Sequence, residues 1–74
     1  MRIFKAFFKK FDAPDVEQAI DYWIRSERDR KILRRRLIDG IVYSKIADEM
    51  DMSERQIKNI VSRTERELFK HMNE

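Results

Sequence analysis

With 74 residues the chain has room for one domain; with no cysteine it cannot build disulfide staples or thiolate metal sites, and a single histidine, His71, leaves little scope for His-ligated metal or His-based catalysis. Charged residues make up 42% of the chain, the net charge is +3, and there is one Gly and one Pro, which describes a helical protein with a heavily solvated surface and argues against β-sheet. So short a chain buries a compact core or shares one with a partner.

The charge is unevenly spread. Residues 1–11 carry Arg2, Lys5, Lys9 and Lys10 with no acid, and residues 12–22 carry Asp12, Asp15, Glu17 and Asp21 with no base. Residues 25–36 then hold seven bases against Glu27 and Asp29. Such polarity suggests a side that faces a polyanion, the plain alternative being a set of solvated helix faces.

The opening "MRIFKAFFKKF" places Phe4, Phe7, Phe8 and Phe11 at i, i+3, i+4 and i+7, one apolar stripe flanked by lysines. Lysines interrupt what would be the core of a signal peptide and no small-residue cleavage site follows, so a cytoplasmic protein is expected. No apolar run approaches the roughly 20 residues that cross a bilayer. The segment 1–12 is read as an amphipathic helix ahead of a domain at 13–74. Its stripe is expected to pack on the domain; self-association through Phe4, Phe7, Phe8, Phe11, Phe69 and Met72 is a second option. Insertion at a membrane surface is a third, and a membrane partner is not expected.

Asp12 or Asp15 can cap the next helix, with Pro14 in its first turn and Gln18 completing a capping box with Asp15. Val16, Ala19, Ile20, Trp23 and Ile24 form its inward face. Ser26 caps a further helix, Asp29 favours its start, and Ile32, Leu33 and Leu37 are its apolar side. Asp39-Gly40 stops that helix, because glycine takes the left-handed conformation a helix end needs. Arg34, Arg35 and Arg36 on it are either a solvated face or a set of phosphate contacts.

A short helix is expected at about 43–50, with Ile46, Ala47 and Met50 inward. After a corner at Asp51-Met52, Ser53 caps a last helix buried along Ile57, Ile60, Val61, Thr64, Leu68 and Met72. His71 is read as a helix-end residue meeting the dipole. This last pair has the ingredients of a helix-turn-helix: a small residue (Ala47) where the helices cross, apolar anchors on both sides of the turn, and a capped second helix. At about 100° per residue, Arg55, Asn59, Ser62, Arg63, Arg66 and Lys70 fall opposite the buried stripe, with Gln56 and Lys58 at its edges. Arg and Lys reach guanine edges or phosphates, and Asn and Gln pair with adenine. Base reading is therefore assigned to Arg55, Gln56, Lys58 and Asn59 near the helix start, and phosphate contact to Arg63 and Arg66.

The stretch "LRRRLIDGIVYSKIADEMDMSERQIKNIVSRTERELFKHM" resembles the helix-turn-helix of region four of bacterial sigma factors and, equally, the DNA-binding domain of LuxR-type response regulators. The shared pattern is met by Asp39, Gly40, Tyr43, Ile46, Ala47, Met50, Met52, Ser53, Ile57, Lys58, Ile60, Arg63 and Leu68, over roughly residues 26–72. The resemblance implies that Ser53 and the start of the 43–50 helix (Tyr43, Ser44, Lys45) touch phosphates. Two residues depart from the pattern. Asp51 stands where glycine is usual and must adopt a left-handed conformation, and Val42 stands where a capping Ser or Thr is common.

The expected protein is thus all-α: a four-helix helix-turn-helix domain with an added N-terminal amphipathic helix, acting as a small transcriptional regulator similar to those of phages and mobile elements. Its partner is double-stranded DNA, with a homodimer or RNA polymerase as further partners; an adaptor that docks on polymerase without reading DNA is the alternative. The length does not accommodate a complete sigma factor, so a stand-alone reader or adaptor is expected. No nucleophile–base pair, metal cluster or phosphate-cradling loop is present, so neither catalysis nor a cofactor or metal is expected; Asp48, Glu49 and Asp51 are read as surface acids.

Overall fold

A computed structural model describes residues 13–72, which form four helices and no strand. They are α1 (Ala13–Trp23), α2 (Glu27–Leu37), α3 (Tyr43–Met50) and α4 (Glu54–Met72). The expected N-terminal helix and its stripe Phe4, Phe7, Phe8 and Phe11 lie outside the described residues.

Pro14 sits in the first turn of α1, where its fixed φ suits the helix and its missing N–H costs nothing. Because α1 already begins at Ala13, Asp15 lies within the first turn and is not the cap the Asp15–Gln18 reading requires. Ser26 does cap α2: its Oγ accepts the Asp29 N–H at 3.2 Å. The chain leaves α2 through Gly40 at φ 70°, with the Asp39 N–H on the Arg34 carbonyl at 3.2 Å and the Ile41 N–H on that of Arg35 at 3.0 Å.

One core joins all four helices. Val16, Ile20 and Ile24 from α1 and its end, Ile32, Leu33 and Leu37 from α2, Ile46 and Ala47 from α3, and Ile57, Ile60, Val61 and Leu68 from α4 are all buried. Thr64 is buried with them and satisfies its hydroxyl within α4, donating to the Ile60 carbonyl at 2.6 Å. Ala47 is 6% exposed, so α3 and α4 cross over a side chain too small to hold them apart. Phe69 and Met72 are half-buried and pack on this core.

One aromatic placement corrects the sequence reading and another extends it. Trp23, expected on the inward face, is 37% exposed at the last residue of α1. It stacks on His71, ring centroids 4.0 Å apart and nearly parallel, and takes the Tyr22 ring edge-on at 4.7 Å. His71 thus ties the end of α4 to the end of α1, a packing role beyond the dipole contact first assigned to it.

The charged side chains of α2 brace the bundle. Arg30 closes α1 by donating to the Ile24 and Arg25 carbonyls at 2.8 and 2.9 Å. Arg34 pairs with Asp21 and Glu17 of α1. Arg35 grips Glu49 of α3 through two hydrogen bonds, 3.0 and 2.6 Å, and Asp39 at 2.9 Å. Those bonds from Arg35, more than the charges of the nearby Lys45 and Lys31 and against the opposing effect of burial, hold the Glu49 carboxyl below its usual range and keep Arg35 protonated more firmly than an ordinary arginine. A carboxyl lowered by folding adds stability above its ordinary pKa and loses it as the pH falls through the lowered value. Glu49→Gln is therefore expected to flatten the acid side of the stability–pH curve, read by thermal unfolding at stepwise lower pH; an unchanged acid limb would contradict the clamp.

Candidate nucleic-acid interface

The corner between α3 and α4 sets the direction of the last helix. Asp51 has φ 57° and ψ 47°, the left-handed conformation expected of the residue replacing glycine. The Met52 N–H reaches the Ala47 carbonyl at 3.0 Å and the Asp51 N–H that of Asp48 at 3.4 Å, the paired bonds of a Schellman ending. Met52 then packs on the core and pins the turn from beneath.

The start of α4 is closed by a reciprocal pair. The Ser53 Oγ accepts the Gln56 N–H at 3.1 Å, and the Gln56 Oε1 accepts the Ser53 N–H at 3.0 Å. This is a capping box, and its signature S-x-x-Q is present in the sequence at 53–56 although only the serine was read as a cap. With its carbonyl oxygen engaged, Gln56 presents only its NH2 end, whereas bidentate pairing with adenine uses both ends of the amide.

By contrast α3 starts without a side-chain cap: Val42 has extended geometry, 58% exposure and no oxygen to offer. Val42→Ser is expected to add about 1 kcal/mol of stability. A raised midpoint in urea unfolding checks this; no change would mean the first N–H groups of α3 are already well served by water.

From this frame α4 turns Arg55, Lys58, Asn59, Ser62, Arg63, Arg66 and Lys70 into solvent, all of them exposed. The spacing of 55, 59, 62, 66 and 70 makes one continuous stripe, Arg-Asn-Ser-Arg-Lys, without an acid. Arg55, Arg66 and Lys70 form no ion pair with any described residue. Ser44 and Lys45 are exposed at the start of α3, and Tyr43 beside them is half-buried. The Arg36 guanidinium lies over the Tyr43 ring at 4.3 Å and the Lys58 ammonium at 5.8 Å, so this ring ties α2, α3 and α4 at one edge of the stripe.

The remaining predicted cations are placed differently. Arg34 and Arg35 face α1 and α3 and are matched by acids of the domain itself. Arg36 donates to the Ile41 carbonyl at 3.2 Å besides covering Tyr43. Arg63 is exposed but anchored, its Nη2 3.1 Å from Asp29 of α2. Asp29 itself, 7% exposed, is a charged residue that sequence reasoning took only for a helix-start acid. Its signal was its place three and four residues ahead of Ile32 and Leu33, on their apolar stripe.

Two helices meeting over a small residue, a tight left-handed corner and a capped, outward-facing second helix define a helix-turn-helix domain. The family model for sigma-70, region 4, matches residues 26–70, more than half of the chain and all of α2 and α3 with most of α4. The chain belongs to the sigma-70 region 4 family. No curated protein and no solved structure shows significant similarity to it.

Proposed function

We propose that the domain is a sequence-specific regulator of transcription that lays α4 in the major groove of double-stranded DNA. The observation that carries this reading is the exposed, acid-free stripe Arg55, Asn59, Ser62, Arg66 and Lys70, aimed away from the core by the α3–α4 corner. Arg55, Lys58 and Asn59 lie nearest the capped end, which enters a groove deepest, and supply base contacts. Gln56 adds its free NH2 end while its carbonyl holds the cap. Tyr43, Ser44, Lys45, Ser53, Arg63 and Arg66 surround them as phosphate contacts, and their cations displace condensed counterions. Arg34 and Arg35 are left out of the contact set, since pairing with phosphate would cost them partners they already hold.

Domains of this family bind DNA and RNA polymerase. One domain makes few base contacts, so useful specificity calls for a second copy or for polymerase beside it, in the cytoplasm where both are found. A docking adaptor that does not read DNA is the other reading, favoured by Tyr22, 77% exposed beside Trp23 and the acids of α1. Aromatic side chains of this kind are enriched at protein interfaces.

Selecting bound duplexes from a random pool separates the two. A reader enriches one motif, and a palindrome among the selected sites would report a symmetric pair. Recovery of unselected sequence would favour the adaptor.

A further inference from the structure

Asp29 is buried in the first turn of α2, yet the two guanidiniums that neutralise it are not. Arg28 Nε and Nη2 both lie 3.2 Å from Oδ1, and Arg63 Nη2 lies 3.1 Å from Oδ2. The side chains of Arg28 and Arg63 remain 55% and 62% exposed, against 10% for Asp29. An ion pair serving only to fill the core would bury both partners. Here the acid is inside and the cations are presented.

Arg63 stands at the edge of the α4 stripe, one turn beyond Asn59 and three residues before Arg66. A free arginine must surrender the rotamer freedom of a long side chain when it grips a phosphate. Asp29 takes one of the five N–H donors of Arg63 and fixes the stem, leaving the others for a second acceptor. We propose that Asp29 is a positioning residue for DNA binding, holding Arg63 ready for a backbone phosphate with Arg28 as the second cation on the same carboxylate. This rests on the reading of α4 as the DNA-contacting helix.

The sign of the effect separates positioning from simple charge. Asp29→Asn removes one negative charge, so electrostatic attraction alone predicts tighter binding to any duplex. Positioning predicts the opposite. The experiment titrates the full chain against one fixed mixed-sequence duplex at low salt, with Asp29→Asn, Arg63→Ala, the double variant and Arg55→Ala, each first checked for wild-type helix content. Asp29→Asn is expected to weaken binding by roughly fivefold, and to cause no further weakening once Arg63 is alanine. Equal or tighter binding by Asp29→Asn, or an equal loss in both backgrounds, would overturn the proposal.

If Asp29→Asn lowers the helix content, Arg63→Lys replaces it, keeping the charge but giving up the planar fork. A weakening of roughly fivefold is again expected, and unchanged affinity overturns the proposal. Arg55→Ala keeps the two failures apart. If it weakens binding while Asp29→Asn does not, only positioning fails; if the wild-type chain and Arg55→Ala bind alike, the reading of α4 fails and positioning with it.

Discussion

Replacing Ile57 by alanine is expected to unfold most of the domain at room temperature, or to move its urea midpoint far below that of the parent. Ile57 is 0% exposed in the first turn of α4, immediately after the capping box. Truncating a fully buried isoleucine costs about 2–5 kcal/mol, from lost transfer energy and the cavity left behind. A domain of this size holds on the order of 5 kcal/mol in total. The capping bonds of Ser53 and Gln56 cannot offset such a loss, since a cap contributes only about 1 kcal/mol. Far-ultraviolet circular dichroism against urea checks this. A parent-like midpoint would mean that Ile57 is not among the side chains holding α4 to the core.

The second large effect concerns binding and should leave the fold alone. Arg55→Ala, Asn59→Ala and Arg66→Ala combined are expected to weaken binding to a selected duplex on the order of a hundredfold. Each base contact contributes about 1–3 kcal/mol, and a phosphate contact adds to that. All three side chains are exposed, so unfolding midpoints should stay close to those of the parent. The salt dependence should flatten too, by roughly one unit of slope for each cation removed. A triple variant that binds with parent affinity and slope would place the DNA contact elsewhere, or nowhere, on the domain.

Local chemistry made much of this structure legible. Ser26 and Ser53 announced two helix starts, Gly40 a helix end, and the spacing of Ile57, Ile60, Val61, Thr64 and Leu68 the buried side of α4. The need for a left-handed residue after α3 followed from the family pattern, and Asp51 adopts it. What stayed hidden depended on pairing between distant residues. Nothing in the run Arg34-Arg35-Arg36 says that Asp21 and Glu17 wait on α1, or Glu49 on α3; only packing brings those acids within reach. Trp23 shares the helical spacing of its buried neighbours, but it stands at the end of α1, where His71 rather than the core meets it. Two misses were avoidable. Serine and glutamine at 53 and 56 spelled a capping box, and an acid on the stripe of Ile32 and Leu33 marked Asp29 as buried and paired.

The most direct test of α4 as the reading helix is residue-resolved amide chemical-shift mapping during titration of the full chain with a selected duplex. The largest changes are expected at Ser44, Lys45, Ser53, Arg55, Lys58, Asn59, Ser62 and Arg66, with the α1 face around Glu17 and Tyr22 nearly silent. Changes centred on α1 instead, with the outer side of α4 unmoved, would contradict the account.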